Sequence, residues 1–177
     1  MIDPFDILGI APRFDLDLGA VEQRYRDLSR VLHPDKHVGS PAAERRMALG
    51  RAVEVNEAWR LVRDPIRRAE ALLRRGGVEV REGTEPKASP EFLMDILEQR
   101  EALAGAKTKR DRAAALQLGS EIRARETAAL ARLSAGLDRS SEAGKNGADL
   151  AVLLPLLGEL RYYRRFLDEL GAIEDET

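Results

Sequence analysis

Apolar residues recur along this chain at alternating spacings of three and four, the period of a helix that buries one face. Leu18, Val21, Tyr25, Leu28 and Leu32 make the first such stripe, and Asp17 before it is an N-cap residue type. Ala48, Ala52, Val55, Trp59 and Val62 make a second, opened by Ser40-Pro41 with Glu44 in its first turn. The small residues of the second stripe let it lie against Tyr25 and Leu28, so the two helices read as an antiparallel pair. Ahead of them, Phe5 to Ile10 offers about one helical turn closed by Gly9, with Phe5 and Leu8 as an apolar lid. After them, Asp64-Pro65 restarts the chain into a short helix carrying Ala69, Leu72 and Leu73 and ending at Gly76-Gly77.

Residues 76–89 combine glycine, charge and Pro86 with little periodicity and read as a linker. Ser89-Pro90-Glu91 then opens an alanine-rich half with helical segments at about 90–105, 108–137 and 149–171, and a polar, glycine-containing loop from Asp138 to Gly147. Pro155 implies that the last helix either begins near Leu154 or kinks there. Three helices on short connections predict an antiparallel bundle. The expected fold is all-α: a helical hairpin with short flanking helices in residues 1–75, a linker at 76–89 and a three-helix bundle in 90–177.

Two bundle helices carry more apolar surface than one core face needs. In the first, Phe92, Ile96 and Leu103 form a stripe, while Leu93, Met94 and Leu97 point a quarter to half a turn away, bordered by Glu98 and Glu101. The middle helix has one stripe: Ala115, Gly119, Ile122, Ala129, Leu133 and Leu137. The last has Leu153, Leu156, Leu160, Tyr163, Leu167 and Leu170 as its core, leaving Tyr162 and Phe166 four apart on another side. Burial against neighbours is the ordinary fate of such residues, and an exposed patch the rarer one.

The stretch joining the two hairpin helices is His33-Pro34-Asp35-Lys36. Proline fixes its own φ and drives His33 out of helical geometry, and Asp35 favours turns, so this is a stiff, solvent-facing connection of the kind that carries function. On the helix before it, Gln23, Arg26 and Arg30 lie opposite the buried stripe with Arg24 beside it, a cationic face leading into the turn.

Composition narrows the chemistry. With 29 basic and 31 acidic residues and a net charge of -2, nothing global favours nucleic acid or anionic lipid. The absence of cysteine removes disulfides and thiolate ligands, so the chain holds no iron–sulfur cluster or Cys-based zinc site itself. The longest apolar run, Leu150 to Leu157, is too short to span a membrane. A soluble cytoplasmic protein is expected.

A His-Pro-Asp turn between antiparallel helices, the first presenting basic residues, resembles the J-domain of DnaJ-type co-chaperones. Asn56 to Leu61, Asp64-Pro65 and Arg67-Arg68-Ala69-Glu70 extend the resemblance over about the first 75 residues. It implies that His33, Pro34, Asp35 and Lys36, with Arg24, Arg26 and Arg30, dock on an acidic surface of an ATPase chaperone. Asp27 stands where many relatives carry a further basic residue. The run Phe92 to Glu101 looks like the opening of the C-terminal domain of the HscB family, and length, domain order and helix count agree over essentially the whole chain.

That resemblance implies a co-chaperone of iron–sulfur cluster assembly. It would carry an IscU-type scaffold to an HscA/DnaK-type ATPase chaperone and stimulate ATP hydrolysis there. The family's scaffold contacts fall on Leu93, Met94, Leu97, Glu98 and Glu101, with an aromatic from the last helix, Tyr162 or Phe166. No catalytic residue, cofactor or metal is implied, and the chain is expected to be a monomer or to self-associate weakly. Two rivals stand beside this reading. His33, Asp35 and His37 have a spacing that offers three metal ligands, although the chain has no other histidine. Alternatively, the J-domain serves another client and the bundle is an oligomerisation module.

Overall fold

The computed structural model describes residues 3–80, 88–142 and 147–175, without the side chains of 141–142 and 172–175. Eight α-helices are present among them: α1 (Pro4–Leu8), α2 (Leu18–Val31), α3 (Ala42–Arg63), α4 (Pro65–Arg75), α5 (Pro90–Lys109), α6 (Arg112–Glu142), α7 (Gly147–Ala151) and α8 (Leu154–Asp175). A 3-10 turn, Pro34–His37, joins α2 to α3, and no strand occurs among the described residues. None of these helices is long and apolar enough to cross a membrane.

The caps follow the local sequence. Asp17 accepts from the Ala20 N–H at 3.1 Å, Asp64 from Arg67 at 2.9 Å and Ser89 from Phe92 at 3.2 Å, each satisfying an otherwise orphaned donor. Ser40 is an exception: α3 begins at Ala42 with Pro41 in the N-cap position and no side-chain cap. Gly9 ends α1 at φ 63°, a left-handed geometry that a side chain disfavours.

The first module closes around Phe5, Leu8, Val21, Val55, Ala58 and Val62, with Leu28, Leu32 and Trp59 partly buried against them. Trp59 is stacked on Tyr25 with ring centroids 5.4 Å apart, and Tyr25 donates from its hydroxyl to Asn56 at 3.0 Å. Leu18, counted in the α2 stripe, is 40% exposed.

In the bundle, every residue of the α6 stripe read from the sequence is buried, Ile122 and Leu133 completely. Its neighbours include Leu156, Leu157, Leu160 and Leu170 of α8. The polar stretch after Leu137 continues α6 as far as Glu142 rather than forming a loop from Asp138. Ser140 donates to the Gly136 carbonyl at 2.9 Å, so its hydroxyl is satisfied inside the helix.

Helix α4 joins the modules because it is apolar on two sides. Ala71 belongs to the first core, while Ile66, Ala69 and Leu73 join Phe14 and the bundle residues in the second. Val78 and Val80, in the segment read as featureless linker, are also buried in that second core. Polar ties reinforce the contact: Arg164 pairs with Asp64 at 2.5 Å and Arg161 with Glu70 at 2.6 Å. The Gly147 N–H donates to the Gly76 carbonyl at 2.8 Å, and a Cβ at Gly76 would lie 2.1 Å from Leu150 Cδ1. Arg68 is enclosed here, donating to the Val62 carbonyl at 2.7 Å with its guanidinium 4.9 Å above the Phe14 ring. Burial pushes its pKa down, opposed by Asp64 and Asp15.

Candidate functional site

The turn at the tip of the hairpin is fixed by its own backbone. His33 is extended, at φ -60° and ψ 134°, and its Nδ1 accepts from the Asp35 N–H at 3.3 Å while lying 3.4 Å from Asp35 Oδ2. The Lys36 N–H donates to the His33 carbonyl at 2.9 Å. His37 Nε2, 3.2 Å from the Val31 carbonyl, ties the far side of the turn to α2, and Arg45 of α3 reaches the Val38 carbonyl at 3.4 Å. The side chains of His33 and Asp35 nevertheless remain 58% and 84% exposed. Groups held in place and turned to solvent are suited to contacting a partner. Among the described residues no three histidine or carboxylate side chains gather as metal ligands.

The arginines beside the turn are less free than a wheel implies. Arg24 donates from Nε to the Leu8 carbonyl at 3.1 Å, bracing the end of α1 against α2. Arg26 pairs with Glu22 at 2.5 Å and Arg30 with Asp27 at 3.2 Å. Those two pairs are exposed and contribute ~0–1 kcal/mol each, so either arginine exchanges partners readily. The outward face of α2 is thus cationic in part and mixed in sign.

On α5, Phe92 and Ile96 turn inward, partly buried, and Leu103 is buried. Asp95 pairs with Arg125 of α6, fixing the rotation of α5. Leu93, Met94 and Leu97 are left 50%, 60% and 56% exposed. Glu98 and Glu101 are exposed beside them, and at 3.6 residues per turn all five lie within about 140° of the helix circumference. They form one apolar patch with an acidic edge.

Tyr162 and Phe166 are not part of that surface. They are 7% and 2% exposed, buried with the rest of the bundle core. Phe92 meets Tyr162 and Tyr163 edge-on at 5.9 and 6.0 Å, Phe166 lies 6.2 Å from Tyr162, and the Tyr162 hydroxyl donates to the Ile96 carbonyl at 3.4 Å. Helix α8 meets α4, α5 and α6 together, so it buries two stripes instead of one. Its aromatics are the floor on which α5 rests. Burial raises the pKa of both tyrosine hydroxyls, opposed at Tyr162 by Arg100.

Val31, Val38, Met47, Leu49 and Val53, in α2, α3 and the connection between them, are exposed and escaped the sequence reading. The signal was present in α3, where Leu49 and Val53 fall four apart and off the buried stripe.

Comparison with known proteins finds two families matched in succession along the chain. Residues 3–71 match the DnaJ domain, and residues 88–171 match the family described as the HSCB C-terminal oligomerisation domain. The co-chaperone protein HscB homolog of Shewanella sp. (strain ANA-3) is 31% identical over 172 residues, spanning 97% of this chain and 96% of that one. The chain belongs to the HscB co-chaperone family. Among solved structures, chaperone HscB from Vibrio cholerae is 27% identical and aligns over 99% of both chains with a TM-score of 0.84. Human co-chaperone protein HscB shares the fold at 22% identity and a TM-score of 0.87, over all of this chain and 84% of that one. HscB proteins are co-chaperones rather than enzymes.

Proposed function

We propose that this HscB-family chain brings an IscU-type iron–sulfur scaffold to an HscA/DnaK-type ATPase chaperone and stimulates ATP hydrolysis there. The observation that carries the reading is the pairing of two separate exposed surfaces, the tip of the hairpin and the α5 patch, on modules braced through α4. Leu93, Met94 and Leu97 supply an apolar centre for the scaffold, with Glu98 and Glu101 as a charged rim, an anatomy suited to reversible binding. Tyr162 and Phe166 act from beneath by holding α5. At the other end His33, Pro34, Asp35 and Lys36, with Arg26 and Arg30, dock on the chaperone, and Arg24 keeps α2 in place. No covalent step is required of this chain: His33 and Asp35 orient groups in the partner. Carrying both grips on one body raises the effective concentration of scaffold at the chaperone.

The test is a steady-state ATPase assay with purified chaperone, with and without scaffold. The wild type raises turnover and the scaffold adds to it; Asp35→Asn and His33→Gln abolish the rise while still binding scaffold. Stimulation that survives both substitutions refutes the docking role of the turn.

A second reading takes its support from the matched family description, which names oligomerisation. There the α5 patch meets a second copy of the chain. Sedimentation velocity separates the two: a dimer dispersed by Leu93→Ala with Leu97→Ala favours the second reading, and a monomer at all concentrations the first.

A further inference from the structure

Sulfur enters this chain only as thioether. It has no cysteine and three methionines, of which Met47 and Met94 lie among the described residues, 66% and 60% exposed. Met94 is placed unlike an ordinary surface methionine. At 100° per residue it points about 180° from the mean direction of Phe92, Ile96 and Leu103, the stripe that α5 turns into the bundle. Asp95, paired with Arg125 of α6, holds that rotation. Met94 therefore stands between Leu97, three residues on, and Glu98, four on, near the middle of the apolar patch.

A thioether so exposed reacts with hydrogen peroxide in a two-electron step. The sulfur lone pair takes one peroxide oxygen, the O–O bond breaks, an S–O bond forms, and the other oxygen leaves as water; sulfur is oxidised and peroxide reduced. The product is a hydrogen-bond acceptor with no proton to donate. In the free protein water hydrates it, and the contacts that α5 makes with the core are untouched, so the fold is kept. Beneath a partner the same oxygen is buried beside Leu93 and Leu97, while Glu98 and Glu101, as carboxylates, accept and offer no proton. A buried acceptor without a donor weakens binding, and an apolar anchor is lost with it.

We propose that Met94 is an oxidation-sensitive site: its conversion to the sulfoxide by hydrogen peroxide releases the scaffold, and reduction by methionine sulfoxide reductases restores the grip. The proposal rests on the reading of the α5 patch as the scaffold site and adds the regulation of that site. Met47 has no part in it, since it lies on α3 in the first module.

The test is calorimetric titration of IscU-type scaffold into the protein before and after hydrogen peroxide, which catalase removes before scaffold is added. Mass spectrometry counts the sulfoxide at each methionine. Oxidation of Met94 should weaken scaffold binding about tenfold, the loss expected for an interface anchor, with an unchanged circular dichroism melt. Sulfoxide reductases should return the affinity to its starting value. Met47→Leu, which keeps Met94, should weaken on oxidation as the wild type does, whereas Met94→Leu should hold its own untreated affinity. Undiminished affinity with Met94 oxidised overturns the proposal, as does an equal loss in Met94→Leu, or a Met94 left unoxidised when Met47 is fully converted. Untreated wild type that fails to bind scaffold sinks the scaffold reading itself, and the proposal with it.

Discussion

Replacing Phe166 by alanine separates a floor residue from a contact residue. Phe166 is 2% exposed and lies against Tyr162, which in turn supports Phe92 of α5 and donates to the Ile96 carbonyl. Deleting a fully buried phenylalanine from a packed core costs ~3–5 kcal/mol, the lost transfer energy plus the cavity left behind. In a protein of this size each kcal/mol lowers the melting temperature by about 2–4 °C, so a fall of roughly 10 °C is expected. With a urea slope of ~2 kcal/mol per molar, the unfolding midpoint moves down by about 2 M. Leu97→Ala, at a position 56% exposed, should stay within ~0.5 kcal/mol of wild type. The assay is urea unfolding followed by circular dichroism for both variants, with scaffold binding measured where both are folded. A Phe166→Ala protein that unfolds with the wild type and yet has lost scaffold binding refutes the assignment of Phe166 to the core.

Trp59→Ala should destabilise the first module by ~2–3 kcal/mol, below the range for a fully enclosed aromatic because Trp59 is only partly buried, with Tyr25 as its stacking partner. Thermal melting checks it, and no change in melting would show that the stack contributes nothing. The raised pKa of Tyr162 and Tyr163 fixes a sign in alkali. The fold favours the neutral phenol, so this contribution is complete below the ordinary tyrosine value of 10.0 and is lost as pH rises above it. Urea midpoints should therefore hold below pH 10.0 and fall beyond it, and Tyr163→Phe should fall less; an equal fall in both proteins contradicts the assignment.

Periodicity made much of this architecture legible before any coordinates. The α6 stripe from Ala115 to Leu137 is buried throughout because a helix lying across one groove needs a single face. Leu93, Met94 and Leu97 stood outside the α5 stripe in the sequence and stand outside the core in the structure. The wheel set Tyr162 and Phe166 off the α8 core stripe and they are buried all the same, since periodicity counts faces on a helix and not how many neighbours it has; the scaffold contact expected of one of them came from the resemblance. Val78 and Val80 were hidden by their charged neighbours, Glu79 and Arg81, in a stretch with no helical period. Arg24 looked like docking surface, yet its bond to the Leu8 carbonyl spans 16 residues, a distance that local pattern does not reach. The α4 to α8 pairs, Asp64 with Arg164 and Glu70 with Arg161, were invisible for the same reason.

The most direct measurement is calorimetric titration of purified IscU-type scaffold into Leu93→Ala/Leu97→Ala, beside chaperone ATPase stimulation by the same variant without scaffold. Scaffold affinity should fall at least about tenfold, as for removal of interface anchors, while basal chaperone stimulation stays at the wild-type level. Undiminished scaffold affinity, or loss of both activities together, contradicts the account of two separate surfaces on one braced body.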